Sequence, residues 1–383
     1  MKTIDRIQGY ADELVAIRRD IHAHPEIGFE EKRTSEIVAR LLASWGIEVH
    51  AGLGKTGVIG ILKGRGTGRT IGLRADMDAL PMDEQTNLPF ASKNPGKFHG
   101  CGHDGHTTIL LGAARYLAET RNFNGTVIFI FQPAEEGLGG ARAMLKDRLF
   151  ERFPCDEIYG LHNQPDGHPG RVGIRSGPVL AGADFFDIRI VGQGSHGAMP
   201  HQSRDPVLMA FTLGQALQSI VSRNVDPLKA AVLSITQVHA GAAYNVVPAE
   251  AHLAGTIRTF DDGVRAQVGQ RMREIAAGMA LGFGAEIAVD IRDIFTVLEN
   301  AEEQADVVRA VAGDLIGADN VVLGPQMMGS EDFADMLRAV PGAYFMLGAK
   351  AGPGLHNPGF LFDEAILPVG ASLFARIAEN RAA

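Results

Sequence analysis

The chain has 383 residues, 45% hydrophobic and 21% charged, with a formal net charge of −9. That is enough apolar matter for a large core and too much chain for one ordinary domain, so two domains are expected. The acidic balance argues against a nucleic-acid surface, no apolar run is long enough to span a bilayer, and two cysteines cannot make a disulfide scaffold.

The chain begins as a charged amphipathic helix rather than a secretory leader, with Ile4, Ile7, Leu14, Ile17 and Ile21 near helical spacing over about 5–23. A second helix is expected over 30–45. VIGILKG (58–64) and TIGLRAD (70–76) read as strands, TTILLGAARYLAET (107–120) as a helix, and TVIFIFQ (126–132) and EIYGLH (157–162) as strands. Strands of Ile, Val, Leu and Phe without polar alternation are covered on both faces, as in parallel α/β sheets. Near Ala183 the texture changes. DFFDIRIVGQG (184–194) alternates like a half-exposed strand, and 205–223 reads as a helix with Asp205 as N-cap and Pro206 in its first turn. Strands at 230–240 and 249–260, a helix over 262–281 and a strand over 284–292 complete a β-α-β-β-α-β segment, the order of a ferredoxin-like sandwich. After Asn300 the α/β texture returns, with helices at 301–315, from Ser330 and at 364–380, and the strand AYFMLGA (343–349). The expected architecture is a discontinuous catalytic domain, 1–183 and 293–383, with a smaller α+β domain, 184–292, inserted.

The residues that carry chemistry follow strand ends. Asp76 and Asp78 follow 70–75, Glu135 and Glu136 follow 126–132, His162 ends 157–162, and His356 lies in the loop after 343–349. Cys101 and His103 come from the CGHDGH loop. The carboxyl ends of strands form the ligand crevice of α/β sheets, so four remote segments converge on one edge. A thiol, three imidazoles and a carboxylate form a donor set for two metal ions, and a second, adjacent carboxylate is left to act as base on water. His22, His24, His50, His168 and His252 read as surface or satisfied histidines. Cys155, ahead of a strand, reads as a buried small hydrophobe; Cys101, between two glycines in a histidine-rich loop, does not.

The motifs RRDIHAHPEIGFEE (18–31), RADMDALP (74–81), HGCGHDGHT (99–107), QPAEEG (132–137), GLHN (160–163), GQGSHGAMPH (192–201), YNVVP (244–248), GTIRT (255–259), GSEDF (329–333) and LHNP (355–358) run in one order over nearly the whole chain. In these the sequence resembles the aminoacylase/carboxypeptidase family of metal-dependent amidohydrolases, in its hippurate hydrolase and indole-acetyl-amino-acid hydrolase branch. The resemblance implies a mixed, mainly parallel sheet flanked by helices, as in di-metal aminopeptidases, with an inserted lid domain that often dimerises. By motif match Cys101, His103, Glu136, His162 and His356 are metal ligands, Glu135 is the general base, and Asp78 orients a ligand. His196 matches a lid histidine that approaches the scissile carbonyl; Asn245 and Arg258 match residues that hold the substrate, Arg258 its carboxylate. GSEDF reads as mainly structural, with Ser330 as a helix N-cap. Phe98, Gly100 and Leu138 depart from the branch pattern without touching a proposed ligand.

The expected reaction is hydrolysis of an N-acyl amino acid to a carboxylic acid and a free amino acid, in a cytoplasmic homodimer or homotetramer. Two divalent ions are expected, zinc or manganese, with nickel or cobalt as alternatives. A dipeptidase or carboxypeptidase using the same site, a non-enzymatic metal-binding protein, and a cysteine hydrolase using Cys101 and His103 are the rival readings.

Overall fold

The computed structural model describes residues 2–382. In chain order the main strands are β1 (Glu48–Leu53), β2 (Gly57–Lys63), β3 (Thr70–Asp76), β4 (Thr126–Gln132), β5 (Glu157–Gln164), β6 (Val172–Ile174), β7 (Gly182–Val191), β8 (Ala231–Ala240), β9 (Glu250–Thr259), β10 (Glu286–Phe295), β11 (Val321–Leu323) and β12 (Gly342–Gly348). The chain separates into two compact units. One comprises the chain up to Val179, Glu299–Pro325 and Glu331 onward; the other comprises Leu180–Leu298 and Gln326–Ser330.

The first unit holds an eight-stranded mixed sheet in the order β1-β2-β4-β3-β5-β12-β6-β11. Its centre is parallel, β3 with β4 and β5, and β5 with β12. Antiparallel pairings attach β1 and β2 to one side and β6 to the other. Parallel strands need crossovers, which the helices supply. Helices Ala11–His22, Lys32–Ser44, His103–Thr120, Glu302–Ile316 and Leu367–Arg381 join the sheet in one apolar core that includes Leu14, Val38, Leu111, Val308 and Phe374. The shorter helices Gly140–Lys146 and Phe333–Ala339 pack on each other. The unpolarised strands β3, β4 and β12 are buried almost end to end, as their composition demands.

The second unit is an antiparallel four-stranded sheet, order β8-β9-β7-β10, with helices Pro206–Arg223 and Asp262–Phe283. Phe186, Ile188 and Ile190 on β7 meet Met209, Leu213 and Met272 from the helices, while Phe185 and Arg189 face outward. Asp205 caps its helix as expected, accepting from the Val207 and Leu208 amides at 2.8 and 3.3 Å.

Five local expectations are corrected. The first helix is broken at Gly9–Tyr10 into Asp5–Gln8 and Ala11–His22. β5 runs on to Gln164, so His162 sits inside a strand rather than at its end. The helix expected from Thr107 starts at His103, because Gly102 turns the chain into it at φ +94°. The helix expected from Ser330 starts at Phe333, and the Ser330 hydroxyl donates instead to the Ala181 carbonyl at 2.8 Å. Cys155 is half-buried rather than buried; desolvation still pushes its thiol up to about 12. β1, an edge strand, carries little apolar patterning and so gives no strand signal in the sequence.

Phe186 is fully buried between the sheet and helices of the second unit. Phe186→Ala is expected to cost about 3–5 kcal/mol, seen as a lower urea midpoint for that unit's unfolding; an unchanged midpoint would refute this packing.

Candidate metal centre

The polar residues gather at the carboxyl ends of β3, β4 and β5 and in the loops beside them. After β4, Pro133 leads to Ala134 at φ +54°, and this left-handed residue swings Glu135 and Glu136 out of strand geometry. His356, at φ +61°, is fixed by its own amide, which donates to the Gly100 carbonyl at 2.9 Å beside Cys101, so Gly100, against expectation, does touch a proposed ligand. Gly102 cannot be replaced without cost: a Cβ there would lie 2.6 Å from Asn163 Oδ1.

Among the described residues five donor triads have their candidate ligand atoms within 4.8 Å of one another; two, Asp76 with His103 and His106 and Glu135 with Glu331 and Asp332, reach into the buried ion network, and three join the expected site residues: Cys101, His103 and His162; Cys101, Glu136 and His356; His103, Glu135 and Glu136. These three share Cys101, His103 and Glu136, so they describe adjoining holes rather than separate sites. Cys101 Sγ lies 3.4 Å from His162 Nε2. The His162 ring is set by Nδ1, which donates to the Asn163 carbonyl at 2.8 Å and leaves Nε2 facing the thiol. Nδ1 of His103 is 3.2 Å from Asp78 Oδ1, and the other Asp78 oxygen accepts from the Glu136 amide at 3.0 Å. One carboxylate thus orients an imidazole and a glutamate backbone together.

Two atoms test whether a cation fits. His103 Nε2 and Glu136 Oε1 are both buried and lie 4.0 Å apart; neither makes a well-formed hydrogen bond, the nearest group to Glu136 Oε1 being His356 Nε2 at 3.2 Å. A buried nitrogen lone pair and a buried carboxylate oxygen left facing each other are costly unless a cation joins them. The donor types, thiolate, imidazole and carboxylate, are those of zinc-like ions. Burial, then the Glu136 charge, raises the Cys101 thiol. Hydrogen bonds to Cys101 and Glu136 raise His356 to about 10. Burial, then His106, drives His162 well below its usual value. His162 is thus held in the neutral form that a metal ligand needs, while Cys101 and His356 would each give up a proton to become ligands.

Glu135 has a different setting. Burial, followed by the charges of Glu331, Glu136 and Asp332, raises its carboxyl well above the usual range. Asp332 is raised too, by burial and by Glu331. Arg74, fully buried, balances this acid: it donates to Asp76 and Glu331 at 2.8 Å and to Gln132 at 2.9 Å. Asp76 in turn holds His106 at 2.7 Å, and Asn163 meets the other nitrogen of that ring at 2.6 Å. Arg74, His106, Glu331 and Asp332 were assigned no role from the sequence. GSEDF looked structural there, although two acidic residues just before an apolar helix were the available signal.

Behind the first turn of helix His103–Thr120 lies a second buried layer. His22 Nδ1 is 2.8 Å from Asp104 Oδ2 and its Nε2 is 3.2 Å from Glu84 Oε1; Arg18 is 3.4 Å from Asp104. Histidine 22 is therefore satisfied, as expected, but wholly inside. Neighbouring His99 has no partner for either ring nitrogen, and burial drives it down to about 4.

In the second unit, His196 and Val246 pair across a two-residue antiparallel ladder, and the Gly197 amide donates to the Asn245 carbonyl at 2.8 Å. His196 and Asn245 are thus neighbours there, both exposed. Arg258, on β9, donates to Ser330 Oγ at 2.6 Å.

Comparison with known proteins accords with this geometry. Residues 72–380 match the family model described as peptidase family M20/M25/M40. The chain belongs to that family. Among its relatives, the M20 chain is 42% identical to a hippurate hydrolase of Campylobacter jejuni, covering 99% of both, and 41% identical to an N-acetylcysteine deacetylase of Bacillus subtilis, covering 95% and 96%. A thermostable carboxypeptidase of Saccharolobus solfataricus is 37% identical over 96% of this chain and 95% of its own. The solved structure of a Bacillus subtilis protein, described as a dinuclear metal-binding peptidase of the M20 family, superposes with a TM-score of 0.87 at 37% identity, covering 97% and 98%. The chain is accordingly a metal-dependent amidohydrolase whose site takes two divalent ions.

His22 yields a pH test of the buried layer. Burial works against its protonation, but the bonds to Asp104 and Glu84 outweigh it, so its folded pKa is raised. A raised histidine stabilises fully below its unfolded value of about 6.5 and loses that contribution as pH rises through the folded value. The thermal-midpoint gap between wild type and His22→Gln, measured in chelator, is expected to be widest near pH 6 and to narrow towards alkaline pH. A gap independent of pH would refute the charged pairing.

Proposed function

We propose that this M20 enzyme hydrolyses N-acyl amino acids, of the hippurate or N-acetyl type, to a carboxylic acid and a free amino acid. The observation that carries the reading is the division of labour between neighbouring glutamates. Glu136 faces the imidazoles of His103 and His356, while Glu135 sits among acids that raise its affinity for a proton. The names of the hippurate hydrolase and N-acetylcysteine deacetylase relatives, matched over nearly their whole length, support the substrate class.

Cys101, His103, Glu136, His162 and His356 would hold two divalent ions, zinc or manganese, with nickel or cobalt as alternatives. Such ions supply Lewis acidity to an amide carbonyl and lower the pKa of water towards about 7. Glu135 takes the proton of the attacking water on its carboxylate and returns it to the departing amine nitrogen. A carboxylate with a raised affinity for the proton suits its return to the amine. Asp78 keeps His103 and the Glu136 backbone in place. His196 is assigned to the developing oxyanion, and Asn245 and Arg258 to the substrate's carboxylate end, for which a guanidinium fork is well shaped. We also propose a homodimer or homotetramer formed through the second unit, supported by the exposed apolar Leu208 and Phe211 on its first helix. A cytoplasmic location agrees with two free thiols.

A carboxypeptidase or dipeptidase reaction is the second reading, favoured by the resemblance to the archaeal carboxypeptidase. Amine release from N-benzoyl, N-acetyl and N-indoleacetyl amino acids and from dipeptides, with and without chelator, separates the two. Chelator-sensitive cleavage of N-acyl amino acids over dipeptides is expected; the reverse preference moves the protein to the peptidases. Glu135→Gln is expected to lower kcat by about 10²–10⁴-fold with metal content unchanged. A variant keeping half its activity would remove Glu135 from its role.

A further inference from the structure

Glu31 is fully buried yet stands outside the donor set described above. Its two oxygens are both engaged. Oε1 accepts from the Ala134 amide at 2.8 Å, a residue 103 positions away, and Oε2 accepts from the Thr56 hydroxyl at 2.6 Å. Ala134 is the residue that turns the chain out of β4, and it does so at φ +54°, a conformation that an alanine avoids unless its surroundings impose it. The segment around Glu31 is built against this turn. A Cβ on Gly28 would lie 2.8 Å from the Ala134 Cα, so only glycine permits the approach. The same segment reaches the other acidic strand end: Ile27 bridges to Ala79, and the Ala79 amide donates to the Glu26 carbonyl at 2.8 Å, next to Asp78.

We infer that Glu31 is a positioning residue that holds the Ala134 turn in its left-handed form and thereby aims Glu135 and Glu136. It touches no reacting atom; it acts through a backbone amide. Its partners require an acceptor at Oε1 and tolerate either acceptor or donor at Oε2, since the Thr56 hydroxyl can reverse its bond. Glutamine can therefore stand in for it, whereas methionine fills the space without accepting. Burial pushes the Glu31 carboxyl up to about 7, so a neutral amide is also a fair electrostatic substitute.

This inference rests on the reading of Glu135 and Glu136 as base and ligand, and its test separates the two. In the full-length enzyme loaded with zinc, Glu31→Met, Glu31→Gln and the double variant Glu31→Met/Ala134→Gly are compared with wild type. The readouts are hippurate kinetics, zinc affinity by chromophoric competition, and thermal midpoint. Glu31→Met is expected to lower kcat about 10–100-fold, to leave KM within about twofold, and to weaken zinc binding several-fold. Glu31→Gln should stay within about threefold of wild type, and Ala134→Gly should recover part of the loss, because glycine adopts the turn unaided. Glu31→Met with wild-type kcat and zinc affinity overturns the inference. So does a folded Glu31→Gln impaired more than about tenfold, which also decides the matter if Glu31→Met does not fold. Wild-type enzyme inactive on every N-acyl amino acid would sink the functional reading instead, while zinc affinity in the variants would still test Glu31.

Discussion

The first unit depends on one buried cation. Arg74 lies at the middle of the sheet's most buried stretch with no access to water, and a guanidinium there must be paired on all sides. Its bonds reach Asp76 on its own strand, Gln132 on the next, and Glu331 from a segment 257 residues away. Each acid then commits its remaining oxygen. Asp76 fixes His106, and Glu331 accepts from the Tyr344 hydroxyl at 2.5 Å. The ends of β3 and β4, Tyr344 on β12 and the segment before a late helix are therefore locked to one charge. Glu331, one of the acids that this charge keeps inside, is also, after burial itself, the first of the groups that raise the Glu135 carboxyl.

From that anchor the site is built by carboxylates that each hold two things. Asp78 joins His103 to the Glu136 amide; Asp104 joins His22 and Arg18 beneath the first turn of the long helix; Glu31 joins the β1–β2 turn to Ala134. Bidentate acceptors of this kind fix relative position better than single bonds, because moving either partner strains both. They also explain how a catalytic pair can sit on a loop and still be well placed: the loop's backbone is hydrogen-bonded to side chains from rigid neighbours.

The sequence made the donors legible because each breaks its local pattern. A pair of glutamates after an apolar strand, a cysteine between glycines and an isolated histidine in GLHN have no ordinary structural use, and parallel-strand topology tells where they converge. What supports them was illegible for the same reason. Glu331 and Asp332 sit where acidic residues favour a helix start, so they carried an adequate local explanation. Their true partner, Arg74, is distant in sequence, and nothing short-range announces a buried ion pair. Likewise the Gly102 turn that starts a helix at His103 looked like a loop, and the left-handed Ala134 gave no sign at all, since alanine does not signal such a conformation. The order of the second unit was readable throughout, because its alternation and caps are local signals.

The triads also differ in how firmly their members are tethered. His162 stands within β5, paired there with Met346 of β12, and His103 opens an eighteen-residue helix. His356 hangs on a loop through a single backbone bond, and 55% of its side chain is open to solvent. One hole is thus framed by the scaffold and the other is closed by a loop donor exposed at the surface. A cation held by Cys101, Glu136 and His356 would therefore keep one ligand in contact with the medium.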